Sequence, residues 1–107
     1  MDNYKILDLP AEVAANAPQD GILSRTVLKT ADVNVILFHF AAGEELSEHT
    51  AAVPAILHFL QGEAKLTVGS HSQPAQAGTW VHMAANTPHS IVAETAVAML
   101  LLMVKNS

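Results

Sequence analysis

The stretch Ala55-Ile56-Leu57-His58-Phe59-Leu60-Gln61-Gly62-Glu63-Ala64-Lys65-Leu66-Thr67-Val68 decides how the chain is read. It holds two short runs rich in apolar residues, split by Gln61-Gly62. Each run is shorter than an ordinary helix and the right length for a strand. The Gln-Gly pair between them predicts a tight hairpin, since glycine supplies the positive φ that two-residue turns need. The same grammar extends from Ser24 almost to the end of the chain. Candidate strands are Ser24–Lys29, Val33–Phe40, Ala55–Leu60, Glu63–Val68, Thr79–Met83, Ser90–Ala93 and Val97–Val104, with a further short one near Ser72–Gln76. Turn material separates them: residues 41–45, Gln61-Gly62, Gly69-Ser70, Ala77-Gly78 and residues 85–88. About eight short strands without a long helix predict an all-β sandwich or closed barrel rather than an α/β fold.

Ahead of the strands, Pro10-Ala11-Glu12-Val13-Ala14-Ala15-Asn16-Ala17 predicts a short helix, with Pro10 in its first turn and Pro18 beyond its end. With 107 residues there is room for one domain, expected to span 1–107 with residues 1–20 as an arm packed over it. Half of the residues are apolar and 14% are charged, which excludes a disordered chain. Aromatics make up 5%, so the core is expected to be built from Val, Ile, Leu and Met.

The formal net charge is −5 with five Lys and Arg in all, and no basic cluster exists to meet a phosphate backbone or an anionic membrane. Nucleic acid and membrane partners are therefore not expected. The chain has no cysteine, which removes disulfides, thiolate nucleophiles and Cys-based metal sites. The longest apolar run, Val97–Val104, suits a strand buried on both faces and is too short to span a bilayer. The N-terminus shows no basic segment followed by an apolar one, so a cytoplasmic location is expected. Gly-rich phosphate loops, a Gly-x-Ser-x-Gly elbow and His-Glu-x-x-His are all missing.

Six histidines remain as the chemistry-bearing residues, at 39, 49, 58, 71, 82 and 89. His39, His58 and His82 fall inside predicted strands, and His49 and His89 just beyond turns. His71, in Gly69-Ser70-His71-Ser72, reads as a solvated loop residue. Neutral imidazole is the commonest protein ligand for Zn, Fe, Ni, Cu and Mn, and a buried ring without a partner is costly. Histidines converging inside a barrel would therefore be well served by a metal. Taken singly, each could as well bond a carbonyl or water.

The segment Gly43-Glu44-Glu45-Leu46-Ser47-Glu48-His49, closed by Gly62 after a hydrophobic strand, resembles the first cupin motif. Gly78-Thr79-Trp80-Val81-His82-Met83-Ala84-Ala85-Asn86-Thr87-Pro88-His89 resembles the second, with Asn86 where glycine is usual and Ala84 for the usual proline. The chain is thus similar to the small single-domain cupins. That resemblance implies a double-stranded β-helix, or jelly-roll barrel. It also implies a metal held by two histidines and a glutamate from the first motif and one histidine from the second. His49 and His89 match the first and last ligands, whereas Ala51 and Ala55 occupy the other two positions.

His58 is the first candidate for a third ligand, with His82 and His39 next. Strand parity places His58 opposite position 55, unless a bulge near Val53-Pro54 or within the strand turns it inward. On that condition the expected metal set is His49, His58 and His89 around one divalent transition ion (Zn, Fe, Ni or Mn). His39, His82 and Met83 are expected to line the cavity, and Trp80 to form cavity wall or core.

Two functions follow from the resemblance. One is a metal-dependent enzyme of dioxygenase, isomerase or decarboxylase type on a small carbonyl or oxygen-rich compound, with Glu48 the nearest carboxylate. The other is a non-catalytic barrel binding a small molecule without metal. A homodimer is expected as well, because Val97–Val104 offers more apolar surface than one barrel interior needs.

Overall fold

The computed structural model describes residues 3–15 and 17–105. Among these the chain forms one short helix and nine strands. They are α1 (Leu9–Ala14), β1 (Ile22–Lys29), β2 (Val33–Phe40), β3 (Glu45–His49), β4 (Ala55–Gln61) and β5 (Glu63–Val68), then β6 (His71–Gln76), β7 (Trp80–Met83), β8 (His89–Ala93) and β9 (Val97–Val104). Two antiparallel sheets result, ordered β1-β2-β9-β4-β7 and β3-β8-β5-β6. From β2 onward the chain repeatedly crosses from one sheet to the other, an all-β barrel as the strand pattern predicts and of the jelly-roll kind that the cupin resemblance implies.

The hairpin expected at Gln61-Gly62 does not form. β4 pairs with β7 and β9, whereas β5 pairs with β6 and β8, so Gly62 is a corner where the chain changes sheets. Its φ of 89° is one reason for glycine. The other is crowding: a Cβ there would overlap the Ala96 carbonyl oxygen. The hairpin signal and the corner signal are the same dipeptide, and pairing partners decide between them.

The barrel interior holds Phe40, Leu57, Phe59, Leu66, Ile91, Met83 and Met99, all buried, with Phe38, Leu46, Val68, Val81 and Leu101 packed against them. Burial of each such side chain is worth roughly 1.5–3 kcal/mol before entropy is counted. Aliphatics and Met dominate as expected, but the two phenylalanines Phe40 and Phe59 are among the largest fully buried side chains. A second cluster, Val27, Val35, Leu37 and Leu100, lies on the outer face of the five-stranded sheet. Leu7, Leu9 and Val13 of the N-terminal segment pack against it.

That second cluster accounts for the two-sided run Val97–Val104: Val97, Met99 and Leu101 face the barrel, while Leu100 and Leu102 face the arm. The excess apolar surface that suggested a dimer is therefore largely covered by the chain itself. Polar ties hold the arm. Arg25 Nη2 donates to Glu12 Oε2 at 2.6 Å, Lys5 Nζ to the Val27 carbonyl at 2.8 Å, and His39 Nε2 to the Val13 carbonyl at 2.8 Å.

The helix starts one residue before its sequence pattern and ends three residues before the pattern does. Asp8 caps it by accepting from Ala11 N, and it ends at Ala14 with Ala15 already extended. Asn16 of the expected helix and Met1 and Asp2 of the expected arm lie outside the described residues, as do Asn106 and Ser107 of the expected domain. Among the described residues no helix is long and apolar enough to cross a membrane.

Candidate functional site

His49 and His89 meet at one end of the four-stranded sheet. They are directly paired residues of β3 and β8, with ring centroids 4.2 Å apart and planes tilted by 57°. A bulge makes this possible. Leu46 pairs with Ile91 and His49 with His89, so β3 carries one residue more than β8 between those pairs. In regular pairing Glu48 would stand opposite His89 and His49 would face away. The extra residue turns His49 onto the face that carries Leu46 and Ile91, which belongs to the barrel interior. The turn before β8 supports the partner. Asn86 adopts φ 66°, the positive value for which the cupin pattern ordinarily uses glycine, and its N–H donates to the Ala51 carbonyl at 2.7 Å.

Both rings are held in the same tautomer. His49 Nδ1 bonds the Ser47 carbonyl at 2.9 Å and His89 Nδ1 bonds the Thr87 carbonyl at 3.0 Å. A carbonyl only accepts, so each Nδ1 carries a proton, and in the neutral rings both Nε2 atoms keep their lone pairs. His89 is buried and His49 is exposed. Burial holds His89 below the ordinary histidine pKa, its bond to the Thr87 carbonyl opposes this, and the nearby His49 adds to the depression. The pair is therefore a two-acceptor edge at the barrel rim: one ring dry and neutral, the other open to solvent.

The third expected ligand is not there. His58 sits between Leu57 and Phe59, whose side chains are buried in the barrel, and it pairs with Leu100 and Trp80 on the outer face. The irregularity in β4 falls between Phe59 and Gln61, after His58, so parity is never reversed in its favour. Among the described residues no three His, Cys, Asp or Glu side chains come together as a metal set. Ala55 is buried in the barrel wall and Ala51 lies in the loop before β4. Neither side chain can donate.

The cavity-lining expectations also need correction. His39 alternates with Leu37 on the outer face of β2, where it is buried under the arm by its bond to Val13. His82 is exposed and pairs with Ile56, again on the outer face. Met83 alone of the three faces inward, buried opposite Ala55 as part of the solid core. Glu48 is exposed within the β3 bulge.

The structure also has an opening that no sequence pattern signals. Between the edge strands β6 and β7 lies a cavity of about 290 Å³ lined by Leu66, Val68, His71, Gln73, Trp80 and Val81. His71 begins β6 rather than lying in a loop, and pairs with Val68, which in turn pairs with His89. Paired residues share a face, so His49, His89, Val68 and His71 form one row across the four-stranded sheet. The stretch His71-Ser72-Gln73 is polar at every position and is followed by Pro74, so it gives no alternation from which a strand face could be read.

The sequence model of the Cupin domain family matches residues 36–105. A protein of unknown function from Streptococcus pyogenes has the same fold, with a TM-score of 0.80 and 32% identity over 100% of this chain and 92% of that one. A cupin superfamily protein from Desulfitobacterium hafniense gives a TM-score of 0.79 at 24% identity, covering 97% of this chain and 94% of that chain. A cupin 2 conserved barrel domain protein from Leptotrichia buccalis gives 0.78 at 30% identity, covering 89% of this chain and 46% of the other. Comparison with curated proteins gives no match.

Proposed function

Since this chain belongs to the cupin domain family, we propose that it is a small-molecule-binding cupin whose recognition edge is the His49–His89 pair, with no tightly resident metal. The observation that carries this reading is the shared tautomer: both Nδ1 atoms are engaged by backbone carbonyls, leaving two Nε2 acceptors on adjoining rings. Such an edge suits an oxygen-rich ligand that donates from two hydroxyl groups. A metal does not fit well. Catalytic sites normally rest on three protein ligands, and here two donors stand where Ala51 and Ala55 replace the rest.

A second reading is supported by the same two lone pairs. His49 and His89 would hold one divalent ion (Zn, Fe, Ni or Mn) weakly, which would allow the dioxygenase-, isomerase- or decarboxylase-type activities to which cupin resemblance points. The two readings separate by elemental analysis of untagged protein purified without chelator, followed by calorimetric titration with Zn²⁺ and with a polyol panel. The binding reading expects well under one equivalent of metal and weak Zn²⁺ uptake lost in His49→Ala but kept in His58→Ala. One retained equivalent of a transition metal would overturn it in favour of the second.

The homodimer is also a proposal. Its support is the outer face of the five-stranded sheet beyond the arm, where Ile56 and His58 are half-buried. Sedimentation at micromolar concentration tests it, and a monomer would remove it.

A further inference from the structure

We propose that the cavity between β6 and β7 is a binding site for an uncharged, single-ring planar compound bearing one amide or hydroxyl group. The floor is apolar: Leu66 is buried, and Val68 and Val81 are half-buried side chains packed on the barrel core. A volume of about 290 Å³ lies just below the usual range for ligand pockets, which limits the occupant to about one ring with a short substituent.

The wall is the only tryptophan in the chain, and it is 57% exposed. Leaving so large an apolar ring half in water is costly, and a planar partner stacked on it would recover that surface. The rim is polar and already organised. His71 Nε2 lies 3.0 Å from Gln73 Oε1, an oxygen that only accepts, so the imidazole N–H donates. That bond fixes the Gln73 amide with its two N–H donors turned away from His71 and leaves His71 Nδ1 as an acceptor. The rim therefore carries amide donors at Gln73 and an acceptor at His71, one on each side of the bond between them, and these complement a carboxamide or a phenolic hydroxyl.

Charge argues against an acid. No Lys or Arg lines the cavity, and the chain carries a net charge of −5, so a carboxylate would enter without a counterion. The site does not depend on the histidine pair. Val68 and His71 line the cavity and belong to the same row as that pair, but His71 stands two strands from His89, on the order of 10 Å by the usual interstrand spacing.

The single tryptophan makes the test direct, because its emission reports this cavity. Benzamide, benzoate and cyclohexanecarboxamide would be titrated into the full-length protein while Trp80 fluorescence is followed. The proposal expects a saturable change with benzamide, and binding weaker by roughly tenfold or more for benzoate and for the non-planar amide. Gln73→Leu, an exposed change that leaves the core intact, should weaken benzamide by roughly tenfold, the loss expected for one directed hydrogen bond. Val68→Phe, which fills the floor, should abolish the response. No saturable change in the wild type, benzoate binding as well as benzamide, or an unaltered affinity in Gln73→Leu would each overturn it. Loss of benzamide binding in His49→Ala would also overturn it, by placing the ligand at the rim pair instead.

Discussion

Replacing Gly62 by alanine should be among the most damaging single-methyl changes in this chain, and Gly43→Ala is its internal control. Both glycines have left-handed backbone, with φ of 89° and 84°. A Cβ in that region costs roughly 1–2 kcal/mol wherever it occurs. At Gly43 an added Cβ meets nothing within 4 Å, so the conformational cost is the whole effect. At Gly62 the Cβ would overlap the Ala96 carbonyl oxygen and lie 2.9 Å from its carbon and 3.0 Å from Val97 Cα. All three are backbone atoms, at the start of β9, and cannot rotate aside. Forcing them apart is an overpacking cost of about 1–3 kcal/mol. Reduced unfolded-state entropy favours alanine by about 0.4–1 kcal/mol at both sites and cancels in the comparison.

Gly62→Ala should therefore lose about 1–3 kcal/mol more than Gly43→Ala, against a total stability of roughly 5–15 kcal/mol for domains of this kind. Urea unfolding monitored by circular dichroism reads the difference as a lower midpoint at unchanged slope. Each kcal/mol should also lower the melting temperature by roughly 4–8 °C in a domain of about this size. Equal midpoints for the two variants would refute the corner geometry, because a hairpin at Gln61-Gly62 would leave both alanines in open space.

The remaining expectations are briefer. His89 has a folded-state pKa below the ordinary 6.5, so as pH falls through that value the unfolded chain takes a proton that the folded chain resists. Stability in the presence of chelator should fall with pH below about 6.5 until the folded-state pKa is passed, and His89→Gln should flatten that slope. An unaltered slope in the variant would contradict the burial of the ring. Phe59→Ala, at a side chain with no exposure, should cost about 3–5 kcal/mol in chemical denaturation. Trp80→Ala, at 57% exposure, should cost less than about 1 kcal/mol, and the reverse order would misplace the core. Arg25→Gln removes an exposed ion pair with Glu12 and should change stability by less than about 1 kcal/mol. A larger loss would mean the arm is held mainly by that pair rather than by Leu7, Leu9 and Val13.

How far the sequence carries the structure depends on what each segment buries. β2, β5 and β9 run within the limits that their apolar patterns set, because each presents at least one continuous apolar face. β3 was not recognised as a strand at all. Of its five residues only Leu46 is apolar, and Glu45, Ser47, Glu48 and His49 are exposed. Its place in the sheet is fixed by pairing with β8, a nonlocal fact that no local pattern carries. The same limit applies to the site. His49 and His89 were legible through the spacing of two motifs, yet the bulge that turns His49 inward is written in how β3 and β8 pair. His58 was misassigned because Ala55–Leu60 is apolar on both faces, and the second face proves to belong to the outer side of the sheet, part of which the arm covers. His71 looked like a loop residue because a polar edge strand and a polar loop have the same composition.

The proposed binding edge consists of two imidazoles sharing a tautomer at the barrel rim, and nitrogen spectroscopy of the histidine rings tests it most directly. Long-range proton–nitrogen correlation on labelled, metal-free protein above the imidazole titration range should show His49 and His89 both protonated at Nδ1 and unprotonated at Nε2. A ring-to-ring nuclear Overhauser contact should join them. Protonation of either ring at Nε2, or rings with no contact between them, would contradict the site.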